Sequence, residues 1–114
     1  MEVTGDSMWP TLEAGDRLVV LPPGRPEVGQ LVVVSDPRQP SRRMVKRVVA
    51  VDAGGALEVE GDNRALSTDS RHLGPLARAQ VLGRVVYRYA PEHRRGRLDA
   101  PLPADGRPRR GERR

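Results

Sequence analysis

Five short segments rich in valine and leucine, separated by glycine, proline and aspartate, constrain the fold of this 114-residue chain more than any other feature. Runs of β-branched residues favour strands, and the residues between them favour turns. Strands are predicted over residues 17–21, 30–35, 44–52, 56–60 and 81–89. The pattern therefore predicts an all-β fold.

Glycine and proline refine this prediction. Ala53-Gly54-Gly55 lies between the third and fourth predicted strands and indicates a hairpin, because glycine reaches the positive φ angles of tight turns. Residues 10–14 and 75–80 each begin with proline, which is favoured at the first position of a helix. Two short helical turns are expected there.

Composition limits the kind of site that the chain can build. At this length there is room for one domain with a modest core, and we place it at residues 1–90. The absence of cysteine excludes disulfides, thiol nucleophiles and thiolate metal ligands. His72 and His93 are the only histidines, and no metal-ligand spacing is present. Neither a metal nor another cofactor is predicted.

The net charge of +5 is concentrated near the C-terminus, where residues 91–114 hold eight arginines and four acidic residues. A segment so poor in apolar side chains cannot offset the entropy of ordering, so a disordered Arg/Pro-rich tail is predicted over 91–114. Contact with nucleic acid or an anionic membrane surface is one hypothesis for this tail. A solvated tail without function is the other.

No transmembrane segment is predicted, because the longest apolar runs, Leu18–Leu21 and Leu31–Val34, are far shorter than the roughly 20 residues that span a bilayer. No signal peptide is recognisable at the N-terminus either. A cytoplasmic location is expected, with peripheral membrane association as an option. The alternative is that a membrane anchor precedes residue 1 in a longer chain.

Lys46 is the one lysine beside nineteen arginines, and it lies in the apolar stretch Met44–Val51. A buried lysine can become a neutral amine and act as a base, whereas arginine keeps its proton. A useful base has a pKa near 7 to 8, so the site would have to favour the neutral amine by roughly 4 kcal/mol. Lys46 is therefore a candidate general base, and compositional drift toward arginine is the alternative explanation.

Three separated segments resemble the type I signal peptidase family. The first, Gly5-Asp6-Ser7-Met8-Trp9-Pro10-Thr11-Leu12 with Gly15-Asp16, resembles the motif that carries the nucleophilic serine. The second, residues 45–51, resembles the segment with the general-base lysine. The third, residues 61–75, resembles the signature whose serine orients that lysine. Ser-Met-x-Pro alone would be weak evidence for this family. Three motifs in the family's order are much stronger evidence.

The resemblance implies a role for each matching residue. Ser7 would be the nucleophile that forms an acyl-enzyme, and Lys46 the general base for acylation and deacylation. Ser67 would hydrogen-bond the Lys46 amine, and Asp69 and Arg71 would form a supporting ion pair. The backbone N–H of Ser7 would donate to the oxyanion. The expected fold is the mainly β fold of signal peptidases and SOS-repressor C-terminal domains.

Other residues near the motifs have less certain roles. Gly5 stands where some family members place a second oxyanion donor, which leaves that donor unassigned. Met8 and Trp9 are expected to line or rim the substrate cleft, with core packing as the alternative. Asp62 and Asn63 are interpreted as structural turn residues. A Ser/His/Asp triad through His72 is disfavoured, because Lys46 already supplies the base.

The functional prediction is a serine endopeptidase that acts on a precursor polypeptide with small residues before the cut. Among soluble relatives, the compact form of this chain resembles proteases proposed to mature nickel-type superoxide dismutase, which makes such a precursor a candidate substrate. A self-cleaving regulator of the SOS-repressor type is the second hypothesis. The third is a noncatalytic binding module that uses the arginine-rich tail, in which case binding would be steeply salt-dependent.

Overall fold

The computed structural model describes residues 1–63 and 74–98. Six strands form one sheet: β1 (Arg17–Leu21), β2 (Leu31–Asp36), β3 (Gln39–Val51), β4 (Leu57–Glu60), β5 (Val81–Ala90) and β6 (Gly96–Arg97). Two short 3₁₀ helices lie at Arg78–Gln80 and Glu92–Arg94. The mainly β fold predicted from the sequence is confirmed.

All strand pairs in the sheet are antiparallel. The spatial order is β1-β5-β2-β3-β4, and β6 pairs with β5. β5 therefore lies between β1 and β2, so the last long strand of the described chain lies beside the first strand. β3 pairs with β2 along most of its length but meets β4 only from Arg47 onward.

Apolar side chains cover both faces of the central strand β2. Leu31 and Val33 belong to one buried cluster, whereas Val32 and Val34 belong to another. Successive side chains of a strand point to opposite faces, so the two clusters lie on opposite sides of the sheet. The continuous Leu-Val-Val-Val run is explained by this burial on both faces.

The hairpin predicted around Gly54-Gly55 joins β3 to β4. Gly55 has a φ of 88°, a left-handed conformation that glycine adopts without strain. The Asp52 carboxylate accepts hydrogen bonds from the N–H groups of Gly54 and Ala56, at 2.8 and 2.9 Å. The turn is therefore fixed by an aspartate side chain as well as by the glycine.

The two predicted helical turns are wrong in part. Residues 10–14 form turns and no helix, since the Glu13 N–H donates to the Asp16 carboxylate at 2.9 Å instead of to a preceding carbonyl. In the second segment only Arg78–Gln80 is helical. Leu76 is held in an extended bridge with Leu57, through reciprocal backbone hydrogen bonds of 2.7 and 2.8 Å.

The disordered tail predicted from residue 91 does not begin there. Residues 92–94 form a 3₁₀ helix, and β6 pairs with Tyr87 and Arg88 of β5. The Leu98 side chain packs against the cluster of Leu31 and Val33. Long-range pairing with β5 compensates for the polar composition of this segment. The rest of the predicted tail, residues 99–114, lies outside the described residues.

No helix in the described ranges is both long and apolar enough to cross a membrane.

Candidate active site

One cavity of about 140 Å³ lies between the N-terminal segment and β3. Ser7 and Lys46, which are far apart in the sequence, both line it. The other lining residues are Met1, Glu2, Val3, Thr4, Gly5, Met8, Arg42, Arg43, Met44 and Val45. The fold therefore brings the predicted nucleophile and the predicted base to the same cavity.

The N-terminal wall of the cavity is anchored to the start of β1. The N–H of Val3 donates to the Asp16 carbonyl at 2.8 Å, and the N–H of Leu18 donates to the Met1 carbonyl at 2.8 Å. Glu2 forms an antiparallel bridge with Arg17. These bonds hold residues 1–5 in place along one side of the cavity.

The opposite wall is the first half of β3. Over residues 39–46, no other strand among the described residues pairs with the edge of β3 that faces away from β2. An unpaired strand edge presents N–H and C=O groups that can bind an extended chain. The cavity thus lies beside an edge of β3 that no other described strand covers.

The Ser7 side chain projects from a compact turn. Within this turn, the N–H of Trp9 donates to the Asp6 carbonyl at 3.1 Å, and the N–H of Leu12 donates to the Met8 carbonyl at 3.0 Å. The Ser7 carbonyl itself accepts a hydrogen bond of 2.9 Å from the N–H of Asn63. The turn that carries the serine is therefore held from inside and by the segment that follows β4.

Lys46 is buried, with 2% of its surface exposed. It pairs with Val32 in the sheet register, and its neighbours on the same strand face, Met44 and Val48, belong to the same apolar cluster as Val32. Val45 faces the other cluster, and Val49 is exposed. The neighbours of Lys46 on its own strand face are therefore apolar.

Arg47, the next residue of β3, binds Asp62. Its Nε and Nη2 atoms donate to the two carboxylate oxygens at 2.9 and 2.8 Å, and its Nη1 donates to the Gly29 carbonyl at 2.8 Å. The Thr11 hydroxyl also donates to Asp62. Burial raises the pKa of Asp62, but the hydrogen bonds from Arg47 and Thr11 outweigh it and hold the pKa below its ordinary value.

Asp62 therefore connects the two halves of the site. Arg47 adjoins the predicted base, and Thr11 belongs to the turn that carries the nucleophile. The structural role predicted for Asp62 agrees with these contacts, but its two partners, Thr11 and Arg47, were not predicted from the sequence. The sequence signal for these partners was the Gly-Asp-Asn turn. A carboxylate that is shielded from water needs a cationic partner.

Two residues expected at the cleft differ in their placement. Met8 is 3% exposed, lines the cavity and packs in the core cluster, so its core packing is observed and its contact with substrate stays a prediction. Its sulfur also accepts a hydrogen bond of 3.4 Å from the Asp62 N–H. Trp9 is 53% exposed and is not part of the cavity wall, so its contact with substrate stays a prediction.

Several predicted site residues fall outside the described ranges. Ser67, Asp69, Arg71 and His72 all lie in residues 64–73, so their roles stay predictions. Gly5 is described: it has a φ of 77° and lines the cavity. In residues 1–63 and 74–98, no group of three or more histidine, aspartate or glutamate side chains is arranged to hold a metal ion.

A serine on a fixed turn and a buried lysine line the same cavity, which is the pair of residue types that the motifs predict for a serine peptidase. The comparison with known families agrees. The chain belongs to the family described as signal peptidase, peptidase S26, whose sequence model matches residues 1–60 and 51–90. It is therefore a member of a family of serine peptidases that process precursor proteins.

Similar proteins come from mitochondria and from bacteria. The mitochondrial ATP-independent inner membrane protease subunit 1a of Arabidopsis thaliana is 28% identical over 84% of this chain and 73% of that protein. The mitochondrial inner membrane protease subunit 2 of Danio rerio is 29% identical over 70% of this chain and 52% of that protein. The "Probable signal peptidase I-1" of Synechocystis sp. is 27% identical over 84% of this chain and 73% of that protein.

Proposed function

We propose that this chain is a serine endopeptidase in which Ser7 and Lys46 form a catalytic dyad. Its reaction is the removal of a signal peptide or short N-terminal extension from a precursor protein. One observation carries the proposal: Ser7 lines the same cavity as Lys46, which is 2% exposed and is flanked by apolar residues. The name of the Synechocystis relative supports the same class of substrate.

In the acylation step, the Ser7 hydroxyl attacks the carbonyl carbon of the scissile peptide bond. Its proton passes to the neutral Lys46 amine, because a serine hydroxyl is a poor nucleophile without a base. The backbone N–H of Ser7 stabilises the negative charge that develops on the carbonyl oxygen. When the C–N bond breaks, the Lys46 ammonium returns the proton to the leaving amine, and the substrate acyl group stays on Ser7.

In the deacylation step, Lys46 takes a proton from a water molecule as the water attacks the acyl ester. The C–O bond to Ser7 then breaks, and the proton passes to the Ser7 oxygen. The carboxylic product leaves and the free enzyme is restored. In this proposal Ser67 orients the Lys46 amine, while Asp69 and Arg71 form an ion pair that supports Ser67.

The substrate binds as an extended chain across the cavity. Support comes from the two walls, residues 1–5 on one side and residues 39–45 of β3 on the other, whose outer edge pairs with no other strand among the described residues. The space between them is about 140 Å³ and is lined in part by Val3, Met8 and Val45.

The first experiment compares three forms of the full chain. Wild type and the control Ser35→Ala should cleave a precursor peptide with small residues before the cut, because Ser35 lies on β2, is only partly buried and is not part of the cavity wall. Ser7→Ala should be inactive while remaining folded. N-terminal sequencing of the products locates the cut. Cleavage by Ser7→Ala at the wild-type rate would refute the proposal.

The precursor of nickel-type superoxide dismutase is a narrower proposal for the substrate, supported by the resemblance of the sequence to proteases proposed to mature that enzyme. Incubation with the precursor should yield a shortened N-terminus, whereas incubation with Ser7→Ala should leave it intact. If wild type cleaves other precursors but never this one, the narrower proposal is wrong. If the chain instead cuts only itself, the self-cleaving regulator explains the dyad better.

A further inference from the structure

A buried carboxylate lies just behind the turn that carries the nucleophile. Asp16 is 1% exposed and binds two guanidinium groups. Arg88 Nη1 donates to Asp16 Oδ2 at 3.2 Å, and Arg94 donates to both carboxylate oxygens, from Nε at 3.2 Å and from Nη2 at 3.1 Å. A planar guanidinium that makes paired contacts of this kind fixes orientation as well as charge.

The same two arginines also bind the turn itself. The Thr11 carbonyl accepts hydrogen bonds from Arg88 Nη1 at 2.9 Å and from Arg94 Nη2 at 3.4 Å. Thr11 immediately precedes Leu12, whose N–H closes the turn onto the Met8 carbonyl. Arg88 and Arg94 therefore hold the Ser7 turn from the side of the sheet, while Asp62 holds it through the Thr11 hydroxyl.

Arg94 belongs to the segment Glu92–Leu98, which follows β5. Arg88 Nε donates to the Arg94 carbonyl, and the Leu98 N–H donates to the Val86 carbonyl at 2.9 Å. β6 pairs with β5 inside this segment. Arg94 Nη1 also forms an ion pair of 2.7 Å with Glu13. The segment is thus attached to β5 at both of its ends, and Arg94 reaches across to the turn.

We propose that Glu92–Leu98 is a clamp, with Arg94 as a positioning residue that fixes the Ser7 turn for catalysis. The predicted effect on rate rests on the proposed function of Ser7. The predicted effect on the mobility of the Ser7 turn does not. A misplacement of about 1 Å at a reacting group can lower a rate by about 100-fold. The clamp would therefore act on turnover more than on substrate binding, because residues 1–5 and β3 bind the substrate.

The test compares Arg94→Gln with the matched control Arg95→Gln in the full chain. Arg95 is adjacent and exposed, donates to the Tyr89 carbonyl at 3.1 Å, and among the described residues makes no hydrogen bond to Asp16. Per folded molecule, Arg94→Gln should lower kcat between about 10- and 100-fold with KM changed less than about twofold. Arg94→Lys, which keeps the charge, should recover part of that loss, and Arg95→Gln should match wild type.

A second readout needs no substrate. Trp9 is the only tryptophan in the chain and lies in the Ser7 turn, so its fluorescence anisotropy reports the mobility of that turn. Arg94→Gln should lower the anisotropy, and the amides of Trp9 and Leu12 should exchange with solvent faster while those of Val33 and Val45 stay protected. Equal anisotropy and exchange in the two glutamine variants would overturn the clamp, as would an unchanged kcat per folded molecule.

If neither Arg94 variant folds, native-state hydrogen exchange of the wild-type protein tests the clamp instead. The clamp predicts that the Leu12 and Leu98 amides open together with similar protection, because opening of the segment releases the turn. A Leu98 amide that opens far more readily than Leu12 would refute it. If the wild-type protein shows no peptidase activity, the result counts against the proposed function. The hydrogen-exchange result still tests the clamp in that case.

Discussion

Arg47 and Asp62 form a bidentate pair, with hydrogen bonds of 2.9 and 2.8 Å, directly beside the predicted base. Both side chains are mostly buried, with 16% and 19% of their surfaces exposed. Since Asp62 also binds the Thr11 hydroxyl, the pair links the strand that carries Lys46 to the turn that carries Ser7. The pair therefore helps to fix the relative position of the two residues of the proposed dyad.

Asp62→Asn tests the link. The neutral amide keeps the shape of the side chain but leaves the Arg47 charge without its partner, so the free energy of unfolding should fall by about 2 to 4 kcal/mol. Urea denaturation measures the change. Glu58→Gln is the control, because Glu58 is exposed on β4 and should stay within about 0.5 kcal/mol of wild type. Equal midpoints in the two variants would contradict the role of the pair.

Acid should destabilise the protein through three aspartates. The side-chain hydrogen bond from Arg38 is the main cause that lowers the pKa of Asp36. For Asp16, burial raises the pKa, but the hydrogen bonds from Arg94 and the Glu13 N–H outweigh it, so the pKa is lowered. The pKa of Asp62 is lowered as well.

A carboxyl group with a lowered pKa in the folded state binds protons more weakly there than in the unfolded chain. Its contribution to stability is complete above the ordinary value of 3.8 and is lost as the pH falls through the lower folded value. The urea midpoint should therefore vary little between pH 5 and 7 from this source and drop below about pH 4. A midpoint that rises on acidification below pH 4 would contradict the assignment.

Close packing of β1 against β5 makes Gly83 intolerant of a side chain. A Cβ atom there would lie 2.4 Å from Val20 Cγ1 and 2.9 Å from the Leu21 carbonyl oxygen. Gly83→Ala should cost about 1 to 3 kcal/mol of folding stability in thermal or urea denaturation. Gly96→Ala is the matched control, since a Cβ on Gly96 would meet nothing within 4 Å. A Gly83 variant as stable as the Gly96 variant would show that the strands separate easily.

Two truncations test where the folded domain ends. Removal of residues 91–114 takes away Arg94, β6 and the Leu98 contact, so the urea midpoint should fall sharply. Removal of residues 99–114 alone should leave the midpoint unchanged, as the composition of that tail predicts. Equal stability in the two truncated chains would contradict the structural role of residues 91–98. If the tail binds nucleic acid, the shorter deletion should abolish steeply salt-dependent binding.

Local sequence patterns predict the strands well and the long-range contacts poorly. The valine-rich runs match β1 to β5 closely, because burial on a sheet face and β-branching act at the level of the segment. The start of β3 at Gln39 was missed, since Gln39–Arg43 is polar and becomes strand only through pairing with β2. The same reasoning explains β6, whose polar sequence is extended because β5 lies beside it.

The candidate site shows the same difference between local features, which the sequence predicts, and long-range contacts, which it does not. Residue types and motifs predict Ser7 and Lys46 as the dyad, and the cavity that both residues line is consistent with this prediction. The arginines that hold the Ser7 turn could not be predicted. Arg88 and Arg94 are distant from the turn in the sequence, and no local pattern distinguishes them from the other arginines of the chain. Only the fold selects which arginine meets a buried carboxylate.

Lys46→Arg tests the central claim most directly, because it keeps the positive charge and removes the only lysine amine in the chain. The measurement is kcat/KM for a precursor peptide, with circular dichroism to confirm that the variant is folded. The account predicts a loss of at least about 1000-fold in a folded protein. Activity within tenfold of wild type would contradict it, since an arginine cannot accept the serine proton.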